Sequence, residues 1–111
     1  MFMRLCKLAE RLTHVKPTVA YGSRLYDFGN GETVQLRTSV FGAHIWAILQ
    51  EDTMAKLTFT RHKYYLLVGK KQIMVEVSAK AGGKKCLKFH VRDLEADEME
   101  SALRALLGLF R

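Results

Sequence analysis

The chain has 111 residues, 49% of them hydrophobic and 26% charged, with a formal net charge of +7. That length is one domain's worth, residues 1–111, and the apolar content is enough for an ordinary core without staples. Two cysteines, Cys6 and Cys86, in unrelated segments with no paired spacing argue against a disulfide framework and for a reducing compartment.

The first segment, MFMRLCKLAERLTH, mixes Arg4, Lys7, Glu10 and Arg11 with its apolar residues, so it reads as neither a signal peptide nor a span. Met1, Leu5, Leu8, Leu12 and Val15 recur at helical steps and predict an amphipathic helix, ended by Pro17 because the residue before a proline is pushed out of the helical region. Two β-prone runs, about 23–28 and 32–38, flank Gly29-Asn30-Gly31, where Asn-Gly signals a hairpin with positive φ at both residues. Residues 41–49 fit two patterns. As a helix, Phe41, Ile45, Ile48 and Leu49 share a face; as a strand, Ala43, Ile45, Ala47 and Leu49 alternate with His44, Trp46 and Ile48. Gly42 and the β-branched residues favour the strand. The apolar run that contains them, VFGAHIWAIL, is about ten residues and too short to cross a bilayer. An intracellular protein, cytoplasmic or nucleoid/nuclear and not secreted, is the expectation.

From Lys56 onward the alternation is of β type. Leu57 and Phe59 alternate with threonines, Tyr64 to Val68 form a run closed by Gly69-Lys70-Lys71-Gln72, and Ile73, Val75 and Val77 share one side. After a second turn through Gly82-Gly83, Leu87, Phe89 and Val91 are expected inward, with Cys86, Lys88, His90 and Arg92 outward. A last helix starts at Asp93 as N-cap, with Glu95, Asp97 and Glu98 at its positive end and a stripe of Met99, Leu103, Leu106 and Phe110 to lay on the sheet. The fold class is therefore α+β: an antiparallel β meander or small barrel of about six or seven strands, an N-terminal helix, and a C-terminal amphipathic helix packed on the sheet.

Catalytic and metal chemistry find little support. His14, His44, His62 and His90 are scattered, and only His62 and His90 could meet across strands. Cys86, near Lys84, Lys85 and Lys88, would be a reactive thiol if exposed. The carboxylates form no dyad, and the glycine pairs sit in hairpins rather than ahead of a helix, where a phosphate-binding loop would need them. The expectation is a non-enzyme without metal or cofactor.

Charge placement carries the functional reading. Residues 1–55 sum to +1 and residues 93–111 to −3, whereas residues 56–92 hold ten basic residues against Glu76 alone, +9. Arg61, Lys63, Lys70, Lys71, Lys80, Lys84, Lys85, Lys88 and Arg92 lie on three strands and their turns, with Tyr64 and Tyr65 among them, one of which must face outward. Such a surface suits phosphate oxygens, and an outward tyrosine, taken as Tyr65, suits a stacked base. Lysines that guard turns and sheet edges would give the same composition without any ligand. The order of residues 56–110, four strands and a helix, resembles the Whirly type of single-stranded DNA-binding domain, which implies a basic sheet contacting the strand. With 41–49 counted, seven strands and a terminal helix are similar to a pleckstrin-homology-type barrel, which implies a protein partner or acidic lipid headgroups. The expected partner is single-stranded DNA or RNA. The alternatives are that interaction module, and a homodimer formed through the first helix or a sheet edge.

Overall fold

Eight strands in one antiparallel sheet carry both long helices on the same face. The structure, a computed structural model, describes residues 1–79, 85–89 and 94–110. In chain order the elements are α1 (Phe2–Thr13), β1 (Thr18–Ala20), β2 (Ser23–Asp27), β3 (Thr33–Ser39), β4 (Gly42–Leu49), α2 (Glu51–Met54), β5 (Thr58–Thr60), β6 (Lys63–Val68), β7 (Lys71–Ala79), β8 (Lys85–Lys88) and α3 (Ala96–Gly108). Spatially the strands run β1-β2-β3-β4-β8-β7-β6-β5. Two four-stranded meanders are thus joined by one long-range pairing, with Trp46 opposite Lys88 and Ala47 opposite Leu87. The sheet is open, with β1 and β5 as its two edges. The expected α+β meander with two helices is what forms; the three-residue edge strand β1 raises the count among the described residues to eight.

The strand reading of 41–49 holds, and burial alternates along β4 in strict period two: Ala43, Ile45, Ala47 and Leu49 are buried and the residues between them are half-exposed. These side chains meet Val34, Leu36, Leu66, Val75 and Leu87 in a core that α1 covers with Leu5, Leu8 and Ala9 and α3 with Met99, Ala102, Leu103, Leu106 and Leu107. Each buried leucine contributes about 1.5–3 kcal/mol against an exposed position. Arg4 ties α1 to Glu100 on α3 at 2.8 Å. Tyr26, fully buried, donates its hydroxyl to the Cys6 carbonyl at 3.2 Å, and burial holds both the phenol and the Cys6 thiol above their ordinary titration ranges.

Local signals shift by a few residues. The first helix stops before Pro17 comes into play: His14 turns left-handed at φ 56° and donates its N–H back to Glu10. Thr13 also returns its hydroxyl to the Ala9 carbonyl, at 2.7 Å. In the β2–β3 loop the positive φ falls on Gly29 and Gly31, not on Asn30, and Phe28 N–H donates to the Glu32 carbonyl across a five-residue loop. The last helix begins at Ala96 with Glu95 as its cap residue, two places after the expected cap Asp93. Asp93 itself, with Gly82, Gly83, His90 and Val91, lies outside the described residues.

Candidate nucleic-acid interface

Because the side chains alternate, a sheet that buries Ala43, Ile45, Ala47 and Leu87 on the helix-bearing side must present the residues between them on the other. Across the ladder those are Gln35 and Arg37 of β3, His44, Trp46 and Ile48 of β4, Cys86 and Lys88 of β8, and Met74, Glu76 and Ser78 of β7. Both long helices lie on the opposite side, so neither covers this face, where Trp46 is half-exposed. Trp46 is held between two cations: the Arg37 guanidinium lies 4.8 Å and the Lys88 ammonium 4.9 Å from the ring centroid. At a half-exposed site each such contact is worth about 0.5–1 kcal/mol, enough to fix the side chains without locking them against a ligand.

His44 stands beside this group on β4 and shares a 2.9 Å hydrogen bond with the Ser39 hydroxyl, which in turn accepts the Phe41 N–H. Burial first, and the Arg37 charge second, hold the imidazole below its usual range, so it is neutral near pH 7 and adds a polar ring rather than a charge.

The other end of the interface is a cleft. Strands β6 and β7 pair from Val68↔Lys71 to Tyr64↔Val75, and no further. Beyond that point β7 is paired with β8 only, through Glu76 to Ala79. His62 and Lys63 therefore do not pair with Glu76, Val77 and Ser78, and the gap, lined also by Lys85 and Lys88, has a volume of about 560 Å³. Lys85 crosses it to donate to the Tyr64 hydroxyl at 3.1 Å, with its ammonium 5.3 Å from the ring centroid. Phe59 packs on the same tyrosine at 4.7 Å and His62 meets Phe59 edge-on. The β5–β6 turn that positions His62 is unusual: Arg61 and His62 both have positive φ, 52° and 64°. A two-residue type I′ turn demands that geometry and normally recruits Asn-Gly. Left-handed backbone at a residue with a branched or bulky side chain costs about 1–2 kcal/mol.

The sequence-expected basic residues do not share one surface. Lys63, Tyr65 and Lys88 fall on the open side; Tyr65 is half-buried and faces away from Tyr64, as strand alternation requires. Arg61 and Lys70 are exposed in hairpin turns. Lys71 belongs to the helix-bearing side, where it is ion-paired with Glu98 of α3. Lys85 lies on the core side of β8, reaching the cleft from its end. Lys80, Lys84 and Arg92 lie outside the described residues. Cys86 takes the expected side of β8, opposite Ile48 and Ser78, but is only 5% exposed, so the condition for a reactive thiol is not met.

Arg37 and Trp46 were not singled out from the sequence, although the alternation of 43–49 puts Trp46 on the side opposite the core. Their cationic neighbour Lys88 comes from the far half of the chain, and only the β4–β8 pairing joins the two. Among the described residues no group of three histidine, cysteine, aspartate or glutamate side chains could hold a metal ion. Nor is any described helix long and apolar enough to cross a membrane. Comparisons with protein-family models, with curated proteins and with solved structures find no match.

Proposed function

We propose that the protein binds single-stranded nucleic acid without catalysing a reaction, along a track from Arg37 and Trp46 through Lys88 to the cleft at Lys63 and Lys85. The observation that carries this reading is the placement of Trp46 between two cations on an uncovered sheet face. An aromatic ring stacks on any base, and cations on either side of it are spaced to meet successive phosphates, which is the combination that sequence-tolerant strand binders use. Among the described residues that line the cleft Glu76 is the one carboxylate, against Lys63, Lys85 and Lys88, so the local charge remains positive. The test is direct because Trp46 is the chain's one tryptophan. Titration with single-stranded DNA, single-stranded RNA and duplex across a salt series should quench its fluorescence. Four cations, Arg37, Lys63, Lys85 and Lys88, engaging phosphates give a log–log salt slope of about −3. A slope near zero, or unquenched tryptophan at low salt, refutes the reading.

A second reading, an interaction module for a protein or an acidic lipid surface, is supported by a different feature. The β1–β2 and β3–β4 turns lie at the same end of the sheet, linked by the Thr38 N–H to Gly22 carbonyl bond, and expose Tyr21, Val40 and Phe41 at 107%, 95% and 83%. Co-sedimentation with anionic vesicles that is lost in Phe41→Ser, without nucleic-acid binding, would favour it.

A further inference from the structure

The Arg37 end of the track carries a second group of polar side chains. Ser23, Arg37 and His44 stand in one row across β2, β3 and β4, and Ser39 follows Arg37 on the same side of β3. Arg37 and Ser39 are exposed and His44 is half-exposed, so the group is reached from solvent. Among the described residues no carboxylate is ion-paired with Arg37, and contact with the Trp46 ring does not use up the five N–H donors of a guanidinium.

The Ser39 hydroxyl links the group. Its oxygen accepts the Phe41 N–H at 3.2 Å and lies 2.9 Å from His44 Nε2. Beside a neutral imidazole, the hydroxyl can give its one proton to Nε2. In a charged imidazole both ring nitrogens are donors, so Nε2 must donate to Ser39 Oγ and the hydroxyl proton has to point elsewhere. Protonation of His44 thus releases a hydroxyl donor near Arg37 and adds a second positive charge to the group. Charged donors and a hydroxyl together suit a tetrahedral anion.

We infer that Arg37, Ser39 and His44 form a subsite for one phosphate group, and that filling it places a proton from solvent on His44. The inference deepens the proposed strand-binding function and rests on it: the subsite takes the backbone phosphate beside a base stacked on Trp46. In the free chain burial first, and the Arg37 charge second, disfavour the imidazolium. A bound phosphate offsets the Arg37 charge and attracts the proton, so ligand and proton favour each other. Two other charged groups bear on the ring from neighbouring strands. Lys88 of β8 stands diagonal to it, opposite Trp46, whereas Asp27 is at the far end of β2 and holds the Gly29 N–H. His90 and Arg92 lie outside the described residues, and substitution of His44 itself separates its proton from any of theirs.

The experiment is isothermal titration calorimetry of the full chain with oligothymidine, whose bases and phosphodiesters keep their charge between about pH 5.5 and 7.5, at fixed ionic strength. Alongside it, NMR follows the His44 ring through its titration in sodium sulfate and in sodium chloride of equal ionic strength. The native chain should gain about threefold or more in affinity on acidification beyond what His44→Gln gains, and sulfate should move the His44 titration upward. Ser39→Ala, at an exposed position, should fold even if His44→Gln does not, and should lose about threefold in affinity at the lower pH. If oligothymidine binds with the same gain in the native chain and in His44→Gln, the subsite is refuted and the strand-binding surface stands. Should sulfate move the His44 titration while oligothymidine does not bind, the subsite stands and the track falls. Neither effect refutes both.

Discussion

Lys88 lies directly opposite Trp46 across the β4–β8 ladder, and its ammonium sits 4.9 Å from the indole centroid. The pair couples the two halves of the chain at the centre of the sheet, so one substitution tests both the charge and the ring. Lys88→Glu should weaken oligonucleotide binding by about tenfold or more and make the salt slope shallower by about 0.7 to 1.4, as one attractive contact becomes repulsive. Trp46→Phe should retain most of the affinity while Trp46→Ala loses about 1–3 kcal/mol, because stacking needs a ring but not a particular one. Anisotropy with labelled oligonucleotide measures both.

The turn at Arg61 and His62 separates stability from binding. Replacing the pair by Asn-Gly, which the type I′ geometry prefers, should raise stability by about 1 kcal/mol in urea unfolding. The same double substitution removes the His62 imidazole from the lining of the cleft, together with the exposed Arg61 cation next to it in the turn. A more stable protein that binds less well is the expected outcome; equal or tighter binding would show that the turn is an ordinary hairpin.

Stability should fall as solutions are acidified. His44 has a depressed folded pKa, from burial and then from Arg37, so the unfolded chain binds more protons than the folded one below its ordinary value of 6.5. Stability therefore rises with pH through this window. The His44 contribution is fully present above about pH 6.5 and is lost as pH falls toward the folded pKa. Denaturation midpoints compared between the native chain and His44→Gln should converge at low pH and separate above it.

Both thiols should be silent. Cys6 is 2% and Cys86 5% exposed, so a thiol reagent should label neither until the chain unfolds. Rapid labelling of one thiol in the folded protein would show that β8 opens more easily than its central position implies.

Glu32 ties two loops together. It is 5% exposed, accepts from Asn30 at 2.9 Å and from the Gln50 N–H at 3.1 Å, and so links the β2–β3 loop to the start of α2. Glu32→Ala should cost about 1–3 kcal/mol, since a main-chain donor loses its partner. Circular dichroism melting would register the loss.

What the sequence made legible follows range. The amphipathic helices, the hairpins at Gly29 and Gly69, and the alternation along 43–49 all depend on neighbours a few residues apart, and each forms about where the spacing put it. The edge strand β1 escaped because the three residues Thr18 to Ala20 have no period to detect, and α2 because a four-residue helix reads as a polar turn. The interface was half legible. A run rich in lysine announced itself by composition, but composition cannot say that Lys71 would be taken up by Glu98, that Lys85 would turn to the core side, or that Cys86 would be buried. Nor could it bring Arg37 and Trp46 to Lys88, because that meeting depends on which strand β8 chooses as its neighbour.

That choice also sets the order of events when the chain folds. Each meander is assembled from hairpins whose strands meet over short loops, whereas the register that sets Leu49 against Lys85 closes a long one. Local pairings form in microseconds, and the encounter of the two halves is the slow and entropically demanding step. Ala47 and Leu87, facing each other at the joint, thus belong to the rate-limiting encounter, and truncating Leu87 should slow refolding more than it hastens unfolding. Until that encounter takes place the tryptophan has only one of its two cations, so the Arg37–Trp46–Lys88 group is completed last, as a product of the assembly itself.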